Sequence, residues 1–264
     1  MSKNEFENLP ASQQGDTPYK LDNIYNVDCY QAIKKIPDKS IDLIYTDVPY
    51  EICCGGASVF TRTRPYFKDY AKICENTQNG KRGIDYSILD EFCRVCKYIY
   101  IYIWCNKAQI PHLINYFLER KCYFDILCWC KTNPIPLTNN LFLNDIEYCL
   151  VFREKNTKTN GDFSTKSKFY ISATNKKDKI LYEHSTIKPI EIVKKHLLNS
   201  TQENDVVLDC FSGSGTTAVA CKQLKRHFIA FEINEEYYKK SLERLNGVSQ
   251  IDKKIKEKYG QTLF

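Results

Sequence analysis

The chain has 264 residues, 43% hydrophobic and 27% charged, with a net charge of +6, which suits one globular domain with a small insertion and excludes a disordered or fibrous protein. No apolar run approaches the roughly 20 residues of a membrane span and no signal-peptide core opens the chain, so a cytoplasmic protein is expected. Its 13 cysteines are then reduced core thiols; the lone C-x-x-C, Cys93 to Cys96, has no second pair at zinc-ribbon spacing, so no metal is expected.

Residues 1–20 are polar, with Pro10, Gly15 and Pro18, and read as a flexible arm. A short strand at 23–27 delivers Asp28, a helix follows over 29–36, and a strand at 41–45 runs into Thr46-Asp47-Val48-Pro49-Tyr50. An acid at a strand's carboxyl end, followed by a proline-stiffened turn with an aromatic, is a ligand-facing geometry in an open α/β sheet. Residues 51–85 lack periodicity and contain Gly55-Gly56, Pro65 and Gly80, the signs of a long mobile loop. Further elements are expected as a helix over 86–97, a strand over 98–104, a helix over 108–120, and strands over 124–130 and 147–152. Residues 153–180 show no core-facing period and read as a basic insertion; a helix over 189–199 follows. After a last helix near 235–245, residues 248–264 are a polar tail.

Between these last helices lies the most informative stretch. Val206-Val207-Leu208 ends in Asp209, then Cys210, then Phe211-Ser212-Gly213-Ser214-Gly215-Thr216-Thr217 opens a helical pattern. Strand, glycine turn and helix start make a nucleotide-binding opening: the glycines admit a ligand to the backbone, and the helix terminus offers N–H groups to an anion. A strand over 227–231 brings Glu232 about 20 residues past the turn, where an acid can hold ribose hydroxyls. No lysine follows the glycines, which excludes a Walker phosphate loop. The turn alone also fits a nicotinamide or flavin enzyme, or an ordinary α/β protein.

The excess charge is concentrated. Residues 153–180 hold eight basic and three acidic side chains, with Lys166, Lys168, Lys176 and Lys177 among the former. Residues 62–82 hold six against two, including Arg62 and Arg64. Basic segments interleaved with Tyr, Phe and Thr suit a phosphate backbone, although charge alone equally fits two solvated loops.

The paired motifs, Asp47-Val48-Pro49-Tyr50 upstream and Asp209 to Thr217 downstream, closely resemble the β group of DNA amino-methyltransferases, over roughly residues 21–247. Also similar are Trp129-x-Lys131 and His184-Ser185-Thr186-Ile187-Lys188-Pro189, which matches the family's His-Pro-Thr-Gln-Lys-Pro. The resemblance implies a Rossmann-like, seven-stranded, mostly parallel sheet with helices on both faces. It implies S-adenosylmethionine as cofactor, held by Asp28, Lys188, Asp209, Phe211 to Thr217 and Glu232. It implies duplex DNA as partner, methylated site-specifically at adenine N6, with cytosine N4 or a catalytically silent relative as alternatives. A restriction partner fits this class, and a homodimer is allowed for. Val48 replaces the first of the family's two prolines, Ser185 replaces another, and the 153–180 insertion is short for target recognition.

The chemistry follows from the target amine, whose lone pair is delocalised into the base. Acceptors on both amino hydrogens favour a pyramidal nitrogen; Asp47 supplies one and the carbonyl of Val48 the other, with Pro49 stiffening the turn. Tyr50 would stack on the base, worth roughly 1–3 kcal/mol, comparable with the few kcal/mol of extracting it from the duplex.

Overall fold

The structure is a computed structural model, and it describes residues 17–53, 81–134, 142–174 and 187–247. Eight strands form one sheet: β1 (Asn23–Asn26), β2 (Leu43–Asp47), β5 (Tyr100–Cys105), β6 (Tyr123–Lys131), β7 (Ile146–Arg153), β8 (Phe169–Ser172), β9 (Val206–Asp209) and β10 (His227–Glu232). Their order is β1-β10-β9-β2-β5-β7-β6-β8. Only β7 runs against its neighbours; every other pairing is parallel. Two-residue strands, β3 (Ile52–Cys53) and β4 (Lys81–Arg82), pair antiparallel as a separate ribbon at the two ends of the predicted loop.

The mostly parallel α/β sheet is as expected, but it has eight strands rather than seven. The added one, β8, comes from the segment read as an insertion without a core face. Its residues Phe169 and Ile171 are more than half exposed, at 58% and 60%. With both alternating faces partly wet, an edge strand of this kind leaves no period for sequence to show. Elsewhere the expected elements are present with ends shifted by a residue or two; the helix expected over 29–36 is an α-helical turn, α1 (Cys29–Ala32), continued by a 3-10 turn over Ile33–Lys35.

Alternation along the strands sorts side chains onto two cores. On one face Ile44, Ile101, Ile103, Leu150, Phe152 and Leu208 meet α1, α2 (Ile88–Val95) and α3 (Ile110–Glu119). On the other, Leu43, Tyr45, Tyr102, Trp104, Cys149 and Val207 meet α4 (Ile190–Ser200), α5 (Thr216–Gln223) and α6 (Glu235–Leu245). The sheet reverses its direction of growth between β2 and β9, since β5 continues to one side and β10 to the other. At such a switch point connections leave in opposite directions and open a crevice outside the carboxyl ends of the strands. Asp47 ends one of these strands and Asp209 the other. The described cysteines are all free thiols, and no helix among the described residues is long and apolar enough to cross a membrane.

Candidate active site

Strand pairing places the catalytic candidates. Asp47 is opposite Trp104, and Trp104 is opposite Cys149; Trp129 is opposite Glu147. Period-two alternation therefore puts Asp47, Trp104, Glu147, Trp129 and Lys131 on the α4 side of the sheet. Above them sits Lys188, one residue before Pro189, which precedes α4 and cannot itself belong to a preceding helix. Helix α4 is fixed by His196: its ring stacks on Tyr102, 5.1 Å between centroids, and its Nδ1 meets the Tyr45 hydroxyl at 3.1 Å. That hydroxyl accepts from Trp104 Nε1 at 2.9 Å. Burial lowers the His196 pKa to about 3, so the ring packs as a neutral group.

The Lys188 ammonium, buried at 6% exposure, donates to Oδ2 of Asp47 at 2.5 Å and lies 3.0 Å from Oε2 of Glu147. It also donates to the Tyr50 hydroxyl at 3.3 Å and lies 4.9 Å from the centre of the Trp104 ring. Burial pulls the Lys188 pKa down, but Asp47 and Glu147 outweigh it and hold it well above the usual lysine range. Burial raises the Asp47 carboxyl, an effect that Lys188 opposes. For Glu147 burial is outweighed by Lys188 and Lys131, and its pKa falls to about 2. The remaining oxygen of Asp47, Oδ1, is buried with no partner in good hydrogen-bond geometry among the described residues, and the nearby Tyr50 hydroxyl also acts to lower the pKa of the carboxyl.

The turn after Asp47 is clamped from the segment between β5 and α3. Gln109, fully buried, donates from Nε2 to the Pro49 carbonyl at 3.0 Å, and Asn106 donates from Nδ2 to the Glu51 carbonyl at 2.6 Å. The two polar residues brace each other through Asn106 N to Gln109 Oε1 at 3.0 Å. Val48 is buried, and its N–H donates to the Trp104 carbonyl at 3.3 Å. The stiffness a first proline would supply is thus provided by neighbours.

The glycine turn forms a second corner. Gly213 and Gly215 take positive φ of 52° and 74°. A Cβ on Gly215 would stand 3.0 Å from that of Ser241, so only glycine fits. Arg244 on α6 braces the turn from below, donating to Thr216 Oγ1 at 2.8 Å and Ser214 Oγ at 3.1 Å. Asp209 accepts from Thr46 Oγ1 at 3.0 Å and Phe211 N at 3.1 Å. Glu232 accepts from Gly213 N and Asn234 N, both at 2.7 Å. Burial raises the Asp209 pKa to about 6 and also raises that of Glu232. The buried Ser212 hydroxyl has no partner among the described residues. Asp28 is exposed past β1 and caps α1 through Tyr30 N at 2.9 Å, while Phe211 meets the Tyr30 ring edge-on at 6.1 Å. Glycine cradle, buried acids and an unpartnered hydroxyl fit a polar cofactor carrying positive charge.

The structure therefore brings together Asp47 to Tyr50 on one strand end and Asp209 to Thr217 with Glu232 beside it. Lys188, expected at the cofactor, has its ammonium on the Asp47 carboxylate. Lys166 is exposed; Lys168 is exposed too but ion-pairs with Asp125. Arg62, Arg64, Lys176, Lys177 and the residues 184–186 lie outside the described residues. Glu147, Asn106, Gln109 and Arg244 escaped the sequence reading. The one available signal was an acid, Glu147, opening an otherwise apolar strand.

The fold and site define an α/β methyltransferase. The DNA methylase family model matches residues 41–243, and the chain belongs to that family. It is 29% identical over 255 residues to Type II methyltransferase M.HinfI of Haemophilus influenzae, covering 86% of this chain and 69% of that one. It is 28% identical over 251 residues to Type II methyltransferase M2.LlaDCHI of Lactococcus lactis subsp. cremoris, covering 86% and 91%. Among solved structures, the M1.HpyAVI–SAM complex matches with a TM-score of 0.62 at 24% identity, over 84% of this chain and 99% of that one. The cytosine-N4-specific PvuII DNA methyltransferase matches with a TM-score of 0.64 at 15% identity, over 88% and 90%. This chain is a DNA amino-methyltransferase that uses S-adenosylmethionine.

Proposed function

We propose that the protein methylates the N6 amine of adenine in double-stranded DNA, with Asp47, Val48, Pro49 and Tyr50 forming the reacting corner. The observation that carries this reading is the buried, unpartnered Oδ1 of Asp47 at the switch point of the sheet. A buried acceptor without a donor costs free energy unless a ligand supplies one, and an exocyclic amine has a hydrogen to give. The Val48 carbonyl takes the second amino hydrogen, and Tyr50 stacks on the base. Positioning of this kind, in a site of fixed charges, provides most of what the reaction requires. Bound S-adenosylmethionine supplies an activated methyl group; Asp209, Glu232, Asp28 and residues 211–217 would hold it, and Lys188 is assigned to the Asp47 side.

A carboxylate at position 47 supports adenine, because an acid in this place of the motif accompanies adenine more often than cytosine in the family. The basic residues of 153–180, with those of 51–85, would follow the DNA phosphates; Lys155, Lys158 and Lys166 are exposed, while Lys168 is already paired with Asp125. Activity on DNA in the cytoplasm, beside a restriction enzyme of the same specificity, accords with the Type II naming of the relatives. The test is to incubate unmethylated plasmid DNA with enzyme and S-adenosylmethionine, digest it to nucleosides and analyse them by mass spectrometry. N6-methyladenine is expected; N4-methylcytosine alone would overturn the base assignment.

A further inference from the structure

Four charged side chains alternate in sign across the sheet face: Lys131, Glu147, Lys188 and Asp47. The successive gaps are 2.8, 3.0 and 2.5 Å. The strands β6 and β7 contribute Lys131 and Glu147, although neither strand belongs to the turn after Asp47 or to the glycine turn. Desolvating such charges rarely improves stability over apolar packing. A chain of them ending on the reacting carboxylate points to a task at that carboxylate.

We propose that Glu147 is a positioning residue for methyl transfer: backed by Lys131, it holds the Lys188 ammonium on Oδ2 of Asp47, so that Oδ1 alone faces the target amine. The proposal rests on Asp47 being the amine acceptor. Lysine carries three donors on a flexible stem. With a single carboxylate for partner, the Lys188 ammonium would settle between both oxygens of Asp47 and occupy the acceptor the amine needs. Glu147 draws it to one side, and the Trp104 and Tyr50 rings, 4.9 and 5.6 Å away, wall it in. Lys131 holds Oε1 of Glu147, so Glu147 cannot turn both oxygens on Lys188 and pull it off Asp47.

The titratable groups around this ammonium are Asp47 and the Tyr45 hydroxyl from β2, Tyr50 from the turn, Cys105 from β5, Lys131 from β6, Glu147 and Cys149 from β7, and the neutral His196 ring from α4, which bonds Tyr45. Asp209 faces Asp47 from β9. Burial raises the tyrosine and cysteine pKa values, leaving these groups neutral near pH 7, so the ionised neighbours set the field at Asp47.

The full-length protein tests this with two substitutions. Glu147→Gln keeps shape and removes the charge; it is expected to lower the single-turnover methylation rate on unmethylated plasmid DNA by about tenfold or more. Affinities for S-adenosylmethionine and DNA should stay within about twofold, the range of an unchanged binding site. The carboxyl carbon of Asp47, followed by carbon-13 NMR and assigned by its loss in Asp47→Asn, reports the field. Its titration should move to lower pH in Glu147→Gln, where a negative neighbour is lost, and to higher pH in Lys131→Met, where a positive one is lost. Opposite shifts show that both charges reach Asp47, and a slower rate at unchanged affinities is what a purely structural role would not give. A wild-type rate in Glu147→Gln, or shifts of the same sign, overturns the proposal. Should Glu147→Gln fail to fold, Lys131→Met decides: a slower enzyme with an upward shift supports the proposal, and an unchanged one overturns it. Asp47→Ala separates the two levels. If that variant is active, the reading of Asp47 fails; if it is inactive beside an unimpaired Glu147→Gln, only the positioning role fails.

Discussion

Asp47 and Asp209 end neighbouring parallel strands, and the Thr46 hydroxyl beside one carboxylate donates to the other. Their surroundings differ. Around Asp47 the charges are matched within the protein: Lys188 and Lys131 answer Asp47 and Glu147. At the glycine turn, the donors to Asp209 and Glu232 are neutral hydroxyl and amide groups. The first corner is electrically complete and lacks only a neutral hydrogen-bond donor, which is what a base amine offers. The second carries negative charge answered by dipoles, which suits a cofactor with a sulfonium and an ammonium group. Two acids at neighbouring strand ends, one partly exposed and one buried, thus differ in the charges that lie next to them.

The largest expected effect breaks the first corner and leaves the second alone. On the proposed reading Asp47→Ala removes one of two acceptors on the amine and should cost at least about 3 kcal/mol of transition-state stabilisation, roughly a hundredfold in rate. Cofactor affinity should be nearly unchanged by calorimetry with S-adenosylhomocysteine. A large loss of cofactor affinity would show that the corners are one site electrically, and the contrast would fall.

The next effect belongs to the second corner. With Asp209 titrating near pH 6 in the free protein, a cationic cofactor favours its ionised form, so affinity should rise with pH. The slope approaches about tenfold per unit below that point and flattens above it. Binding of S-adenosylmethionine measured between pH 5 and 7 checks this, and S-adenosylhomocysteine, without the sulfonium charge, should show a shallower slope. A flat profile for both would mean that the Asp209 proton is not linked to the ligand.

Much of this contrast was open to sequence reading, and the reason is geometric. Both acids sit at ends of apolar strands, where a polar residue breaks the pattern, and Gly213 and Gly215 mark a backbone conformation that other residues avoid. The charge partners were hidden because they come from distant strands and act only through register. Glu147 lies 100 residues beyond Asp47 and reaches it because β7 pairs with β5 and β5 with β2. Lys188 was legible as part of a motif, but its direction was set by the seating of α4 on His196, a packing fact. Gln109 and Asn106 looked like ordinary residues at a helix start, and their carbonyl partners in the Pro49 turn appear only once the strands are side by side. The eighth strand was missed because an exposed edge leaves no hydrophobic period.

The smallest effect tests whether the two corners respond oppositely to acid. Glu147 has its pKa depressed to about 2 from an ordinary 4.5, so its contribution to stability is present above 4.5 and is lost as pH falls through 2. Asp209 has its pKa raised to about 6 from 3.8, so its contribution is present below 3.8 and is lost as pH rises through 6. Between about pH 5.5 and 7 only the second changes appreciably, because the Glu147 contribution is complete about a unit above 4.5. Asp209→Asn replaces the carboxyl with a neutral group that does not titrate, and the difference in Tm between wild type and variant isolates its share. The wild type should lose ground to the variant as pH rises across this range, by an amount on the order of 1 kcal/mol or a few degrees of Tm. Glu147→Gln measured beside it should show a nearly constant offset over the same interval. If the Asp209→Asn difference instead stays constant, or runs the other way, then the Asp209 carboxylate already has a cationic partner and the second corner is as complete as the first.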